Sequence, residues 1–149
     1  MLHIALYQPD IPQNVGAAMR LCACLGIPLD IIEPCGFPWD MRKIRQSGMD
    51  YIDQTDLIRH ESWNSFKETY KDRRLVLMTT KSSEPYTAFN FSANDILLAG
   101  RESAGVPEEI HQEIKSRITI PMAGQARSLN IINATAIITG EALRQINTL

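Results

Sequence analysis

Asp95-Ile96-Leu97-Leu98-Ala99-Gly100-Arg101-Glu102-Ser103-Ala104-Gly105-Val106-Pro107 holds a buried strand, a turn with two glycines and the start of a helix. Ile96 to Ala99 is an unbroken apolar run, the pattern of a strand covered on both faces. Gly100 and Gly105 permit close approach of the backbone to another group. Pro107 suits the first turn of a helix, and Glu108 and Glu109 favour its positive end.

The same alternation runs outward in both directions. Leu2 to Tyr7 is apolar and β-compatible. Pro9 and Pro12 break the chain, Asn14 can cap a helix running to about Leu25, and Gly26 stops it. Val15, Ala18, Met19, Cys22 and Leu25 form one apolar stripe of that helix. Pro28 to Glu33 reads as a second strand, and Asp40 starts a short helix that stops at Gly48. Tyr51 to Gln54 is expected to be a short strand. Ser62 caps a helix with Trp63, Phe66 and Tyr70 on one face. Arg74 to Thr80 is a strong strand, residues 81–94 a polar loop, Arg117 to Ile120 a last strand and Pro121 to Arg127 a loop. A long helix runs from about Ser128 to Asn147. Strands alternating with helices predict an α/β fold, a single domain over residues 1–149 with a mostly parallel sheet flanked by helices. Ligands of such sheets sit at the carboxyl ends of the strands. Here those ends are Thr79-Thr80-Lys81, Gly100-Arg101-Glu102 and Ile120-Pro121-Met122.

The length of 149 residues is enough to bury roughly two thirds of the unfolded surface without staples. Hydrophobic residues make up 44% and charged residues 21%, which excludes a disordered chain. No apolar run approaches the roughly 20 residues that span a bilayer, so no membrane partner is expected. The N-terminus lacks a basic segment and a cleavage site, and the expected compartment is the cytoplasm. A net charge of −2 excludes coating nucleic acid by charge alone and leaves room for a local basic face. Cys22, Cys24 and Cys35 have no zinc-ligand spacing and read as buried free thiols.

Standard motifs are missing. There is no Gly-x-Gly-x-x-Gly after the first strand and no Gly-x-Ser-x-Gly elbow. Gly100 and Gly105 have P-loop spacing, but Val106-Pro107 stands where Lys-Ser/Thr is needed. His3, His60 and His111 are isolated in sequence. Three segments stand out instead. The first is Asn14-Val15-Gly16-Ala17-Ala18-Met19-Arg20, which alone reads as a capped helix with an exposed arginine. The second is the turn from Gly100 to Pro107. The third is Ile118-Thr119-Ile120-Pro121-Met122 followed by Ser128-Leu129-Asn130, where Ser128 caps the last helix, meets a ligand, or does both.

Together, in this order and spacing, these segments resemble the SpoU branch of the SPOUT RNA methyltransferases over essentially the whole chain. Ala5-Leu6-Tyr7-Gln8-Pro9, Ile11-Pro12-Gln13-Asn14, Ile31-Ile32-Glu33-Pro34 and Gly36-Phe37 resemble one subgroup of it. Its members are the tRNA (cytidine/uridine-34-2′-O)-methyltransferases, which lack an added RNA-binding domain. The resemblance implies a deep trefoil knot from about residue 75 to 149, a homodimer, and S-adenosylmethionine as cofactor, leaving S-adenosylhomocysteine; no metal is implied. It implies cofactor contacts from Met78, Gly100, Ile120 and Ser128, with Met122 and Leu129 near the adenine. It implies catalytic roles for Arg20, Asn14 and Glu102. Gly140 stands where some relatives carry a tyrosine, and the loop Ala123 to Ala126 is short for the family.

The implied chemistry needs an oxygen nucleophile aligned with a methyl group and relieved of its proton. Arginine stays protonated, so Arg20 is expected to bind the adjacent phosphate and stabilise the developing alkoxide. Glu102 is either the base or the group that orients Arg20 or a backbone amide. Lys81, Arg101 and Arg127 are expected to hold the anticodon stem-loop of tRNA. Arg42, with Lys43 and Arg45, is a second basic group that serves RNA or only solvates a helix face. Phe37 and Trp39 stack on bases or belong to the core. The competing expectations are 2′-O-methylation of another RNA and a non-catalytic module that binds RNA or cofactor.

Overall fold

Every residue of the strand His3–Tyr7 (β1) is buried. Its side chains alternate between two cores, Ile4 and Leu6 on one side and Ala5 and Tyr7 on the other. The computed structural model, which describes residues 1–48 and 53–146, builds a six-stranded parallel sheet around this strand. Helix α1, Pro12–Leu25, follows β1. Pro12, with its φ preset for a first helical turn, sits at the start of α1, and Ile11 occupies the cap position. Asn14 is therefore inside the helix rather than its cap, contrary to the sequence expectation. Gly26 ends α1 at φ 67°, as expected of a glycine stop.

Strand β2, Leu29–Ile32, pairs with β1. Helix α2, Met41–Gly48, begins after Asp40, whose Oδ1 accepts the Arg42 N–H at 2.9 Å. The expected strand over Tyr51 to Gln54 is not found. Tyr51 and Ile52 lie outside the described residues, and Asp53 and Gln54 form a 3₁₀ turn. The strand is Leu57–His60 (β3), paired with β2 at the sheet edge. Its exposed Arg59 hid the strand pattern. Helix α3, Trp63–Thr69, is capped by Ser62, whose Oγ accepts the Ser65 N–H at 3.1 Å. As expected, Trp63, Phe66 and Tyr70 share one face; Phe66 stacks on Trp63 at 5.6 Å and meets Tyr70 edge-on at 5.3 Å.

Strands β4, Leu75–Met78, and β5, Ile96–Ala99, pair in register, and helix α4, Glu108–Glu113, follows Pro107. Strand β6, Ser116–Ile118, starts and ends earlier than the expected Arg117 to Ile120. Thr119 leaves β6 to bond a crossing loop, donating its N–H to Glu84 O at 2.9 Å and accepting from Tyr86 N at 2.9 Å. The last helix, α5, is Ile131–Gln145. Asn130 caps it, accepting the N–H groups of Ile132 at 2.9 Å and Asn133 at 3.2 Å, so Ser128 is not the cap. Asn147, the expected end, lies outside the described residues.

The strand order is β3-β2-β1-β5-β4-β6. One core lies under α1, α2 and α5, and the other under α3 and α4. Arg74 fixes the start of β5 through two 2.7 Å bonds to the buried carboxylate of Asp95. At the other side of the sheet, His3, His60 and Tyr70 converge on the buried Asp30 at 2.7, 2.6 and 2.7 Å. Of the cysteines, Cys22 is buried and Cys35 half-buried, but Cys24 is exposed, because two helical positions apart face different ways.

Candidate active site

The carboxyl ends of β4, β5 and β6 open into one cavity of about 500 Å³, a size suited to a small organic ligand. Its walls are the end of β4 and the second and third of the segments singled out in the sequence, and Asn14 of the first segment joins the lining. Met78 ends β4, and Thr79 continues from it by donating its N–H to Ile118 O at 2.9 Å. The Thr79 hydroxyl then accepts the Lys81 N–H at 3.1 Å, which turns Lys81 toward the cavity.

The second wall is the turn after β5. Arg101 and Gly105 exchange main-chain bonds of 3.1 and 2.9 Å. A Cβ on Gly100 would stand 2.7 Å from the Gly105 main chain and 2.8 Å from Val106 N, so only glycine fits. The Arg101 Nε donates to Gly105 O at 3.1 Å, and its guanidinium lies 5.6 Å from the Tyr7 ring centre. Arg101 thus braces the turn as well as bordering the cavity.

Glu102 reaches from this turn to the start of α1. Its Oε2 accepts the Asp10 N–H at 2.9 Å and its Oε1 accepts the Asn14 amide at 3.1 Å. A bond to a backbone amide, one of the expected alternatives for Glu102, is thus present. Asn14 joins α1 to Glu102. Burial raises the Glu102 carboxyl above the usual carboxylate range, and the Asp10 carboxyl beside it adds to this. The same contact with Glu102 holds Asp10 below its usual range.

The third wall is the loop after β6. Ile120, Met122, Ser128 and Leu129 border the cavity, and α5 closes it with Ile131, Ala134, Thr135 and Ile138. Apolar side chains, hydroxyls and glycine backbone make up most of the lining, a surface that suits a nucleoside with a cationic sulfur. Gly140, by contrast, faces away from any neighbour: a Cβ there would meet nothing within 4 Å.

All six expected cofactor-binding residues, with Asn14, Glu102, Lys81 and Arg101, border this cavity. Arg20 does not; it is exposed on α1. Arg127 is exposed in the third loop, and Arg42 on α2, 3.8 Å from Asp40. Phe37 and Trp39 are half-buried against the core, and Arg59 stacks 4.2 Å over the Trp39 ring. Sequence reading missed two residues. His111 of α4 is buried at the cavity wall, and no neighbour in sequence betrays it. Asp10, passed over between Pro9 and Ile11, meets Glu102 through its main-chain N–H. Among the described residues no group of three or more His, Cys, Asp or Glu side chains could hold a metal ion, and no helix is long and apolar enough to cross a membrane.

The model of the SpoU rRNA methylase family matches residues 1–140. The tRNA (cytidine(34)-2′-O)-methyltransferase of Beijerinckia indica is 55% identical over 148 residues, covering 98% of this chain and 92% of the relative. A solved structure described as "Structural insights into the 2-OH methylation of C/U34 on tRNA" superposes with a TM-score of 0.94 at 38% identity, covering 100% of this chain and 98% of that one. An AdoMet-bound rRNA methyltransferase from Sinorhizobium meliloti superposes with a TM-score of 0.86 at 26% identity, covering 97% of this chain and 56% of that one.

Proposed function

Because the chain belongs to the SpoU rRNA methylase family, we propose that it transfers the methyl group of S-adenosylmethionine to the ribose 2′-hydroxyl of the wobble nucleotide, position 34, of tRNA. The observation that carries this reading is the single cavity in which all three motif segments meet. When bound, S-adenosylmethionine would supply an electrophilic methyl on a cationic sulfur and would leave as S-adenosylhomocysteine, the proton of the 2′-hydroxyl passing to water.

In this reading Met78, Gly100, Ile120, Met122, Ser128 and Leu129 hold the cofactor, and a glycine at 100 leaves its backbone within reach. Glu102, tied to Asn14, fixes the turn against α1. Arg20 binds the phosphate beside the target ribose and stabilises the developing alkoxide, as a permanently charged planar donor does best. Lys81, Arg101, Arg127 and Arg42 receive the anticodon stem-loop. Residues from about 75 to 149 form a trefoil knot. The protein works as a homodimer in the cytoplasm. Support for the dimer comes from Ile11, Leu129 and Ile137, large apolar side chains left 40%, 39% and 42% exposed around the cavity and α5.

Arg20 gives the reading a sharp test. The Arg20→Lys variant keeps a positive charge and loses the bidentate fork. Its single-turnover methyl transfer at saturating tRNA is expected to fall by about 100-fold or more, with cofactor affinity unchanged. Transfer at the wild-type rate would remove Arg20 from the chemistry.

A further inference from the structure

Asp10 belongs to none of the three motif segments, yet it is fixed from three sides. Its N–H donates to Glu102 Oε2 at 2.9 Å, and the Ser103 hydroxyl donates to its Oδ2. Behind it, a Cβ on Gly36 would come within 2.6 Å of the Asp10 Cβ, so the loop after β2 sits tightly against it. The Asp10 and Glu102 carboxyl groups are near enough to shift each other in opposite directions.

A count of donors leaves this arrangement one hydrogen short. Glu102 has the Asp10 N–H on one oxygen and the Asn14 amide on the other. Asp10 has Ser103 on Oδ2, while its Oδ1 is buried with no hydrogen-bond partner among the described residues. Two ionised carboxylates in contact would also repel. A single proton between them answers both problems.

We propose that Asp10 is a positioning residue of this site, sharing one proton with Glu102 and so tying the turn after β5 to the loop before α1. The proton resides mainly on Glu102, in keeping with the opposite directions in which the two groups are pushed. The groups bonded to Glu102 are the Asp10 N–H and the Asn14 amide, and the charge of Glu102 also reaches the half-buried Cys35 thiol, which burial pushes up to about 11. The neighbouring Arg101 directs its guanidinium to Gly105 O and Tyr7 instead. Because Glu102 borders the cavity, loss of the proton adds a negative charge to its wall. That charge favours a sulfonium over a neutral thioether.

The test is a carboxyl-carbon NMR titration of the unliganded protein, joined to affinities for S-adenosylmethionine and S-adenosylhomocysteine across pH. In wild type, Glu102 is expected to titrate above the ordinary glutamate range. The ratio of the two affinities should rise several-fold in favour of the sulfonium through that titration. In Asp10→Asn the amide donates to Glu102, and both transitions should move together to lower pH. Ser103→Ala keeps both carboxyl groups and removes a donor from Asp10, so the lower titration of the pair should rise. An ordinary Glu102 in wild type, or titrations unmoved by either substitution, would overturn the proposal. The affinity ratio rests on the methyltransferase reading and the NMR titration does not. A high-titrating Glu102 in a protein that binds neither nucleoside would support the pair and contradict the proposed function.

Discussion

Asp30→Ala is expected to destabilise the protein by about 3–5 kcal/mol. Asp30 is fully buried and holds three donors at once: His3 Nδ1 on Oδ2, and His60 Nε2 and the Tyr70 hydroxyl on Oδ1. These partners come from β1, β3 and the end of α3, so one carboxylate on β2 ties together the half of the sheet distant from the cavity. Alanine would leave two buried imidazoles and the half-buried Tyr70 hydroxyl without this acceptor, which costs far more than the bonds themselves contribute. A loss of this size is a large share of the 5–15 kcal/mol typical of a domain. Urea unfolding should show a lower midpoint with an unchanged slope. Burial alone would raise the Asp30 carboxyl, but its hydrogen bonds outweigh burial and hold it below its usual value of 3.8. A depressed carboxylate stabilises the fold above its unfolded value, and that stability is lost as pH falls through the folded value. Acid should therefore weaken wild type below about pH 4, and Asp30→Asn should show a flatter acid limb. A midpoint within error of wild type in Asp30→Ala would refute this role.

Gly100→Ala should abolish useful cofactor binding while leaving most of the fold intact. The added methyl would press on the main chain of Gly105 and Val106, not on a side chain that can rotate away. Relief requires breaking the paired bonds between Arg101 and Gly105, and with them the placement of Glu102. The expected loss is at least 100-fold in affinity for S-adenosylmethionine, about 2.7 kcal/mol. Gly140→Ala is the matched control. It adds the same methyl inside α5 where nothing lies within 4 Å, and it should be neutral or stabilise by up to about 1 kcal/mol. Calorimetric titration of both variants separates the effects. Equal affinities in the two would show that the turn after β5 does not hold the cofactor.

Much of the fold is legible where one residue has one physical solution. The apolar runs at Leu75 to Met78 and Ile96 to Ala99 can only be covered strands, and Gly26 in the left-handed region ends α1 as its sequence demands. Legibility fails where two residues compete for one task. Asn14 and Pro12 both suit a helix start, and proline takes it, leaving Asn14 to reach Glu102. Ser128 and Asn130 both suit the cap of α5; Asn130 takes it, and Ser128 is left to the cavity. The edge strand β3 carries an exposed arginine and no strong alternation, so its place depends on pairing with β2. Met78, Gly100, Ile120 and Ser128 border one cavity; Met78 and Ser128 entered only through the resemblance, and Gly100 and Ile120 were readable from the expected strand ends. Asp10, His111 and the partners of Asp30 were not, because each meets its neighbours only across the sheet or between loops.

The proposed reaction is methyl transfer to one ribose. The most direct measurement uses labelled S-adenosylmethionine and two tRNAs, one natural and one carrying a 2′-deoxyribose at position 34, with nuclease digestion to locate the label. Label is expected in the 2′-O-methylated nucleoside of position 34 of the natural tRNA and none in the deoxy form. Equal labelling of both tRNAs, or label only in ribosomal RNA offered in parallel, would contradict it.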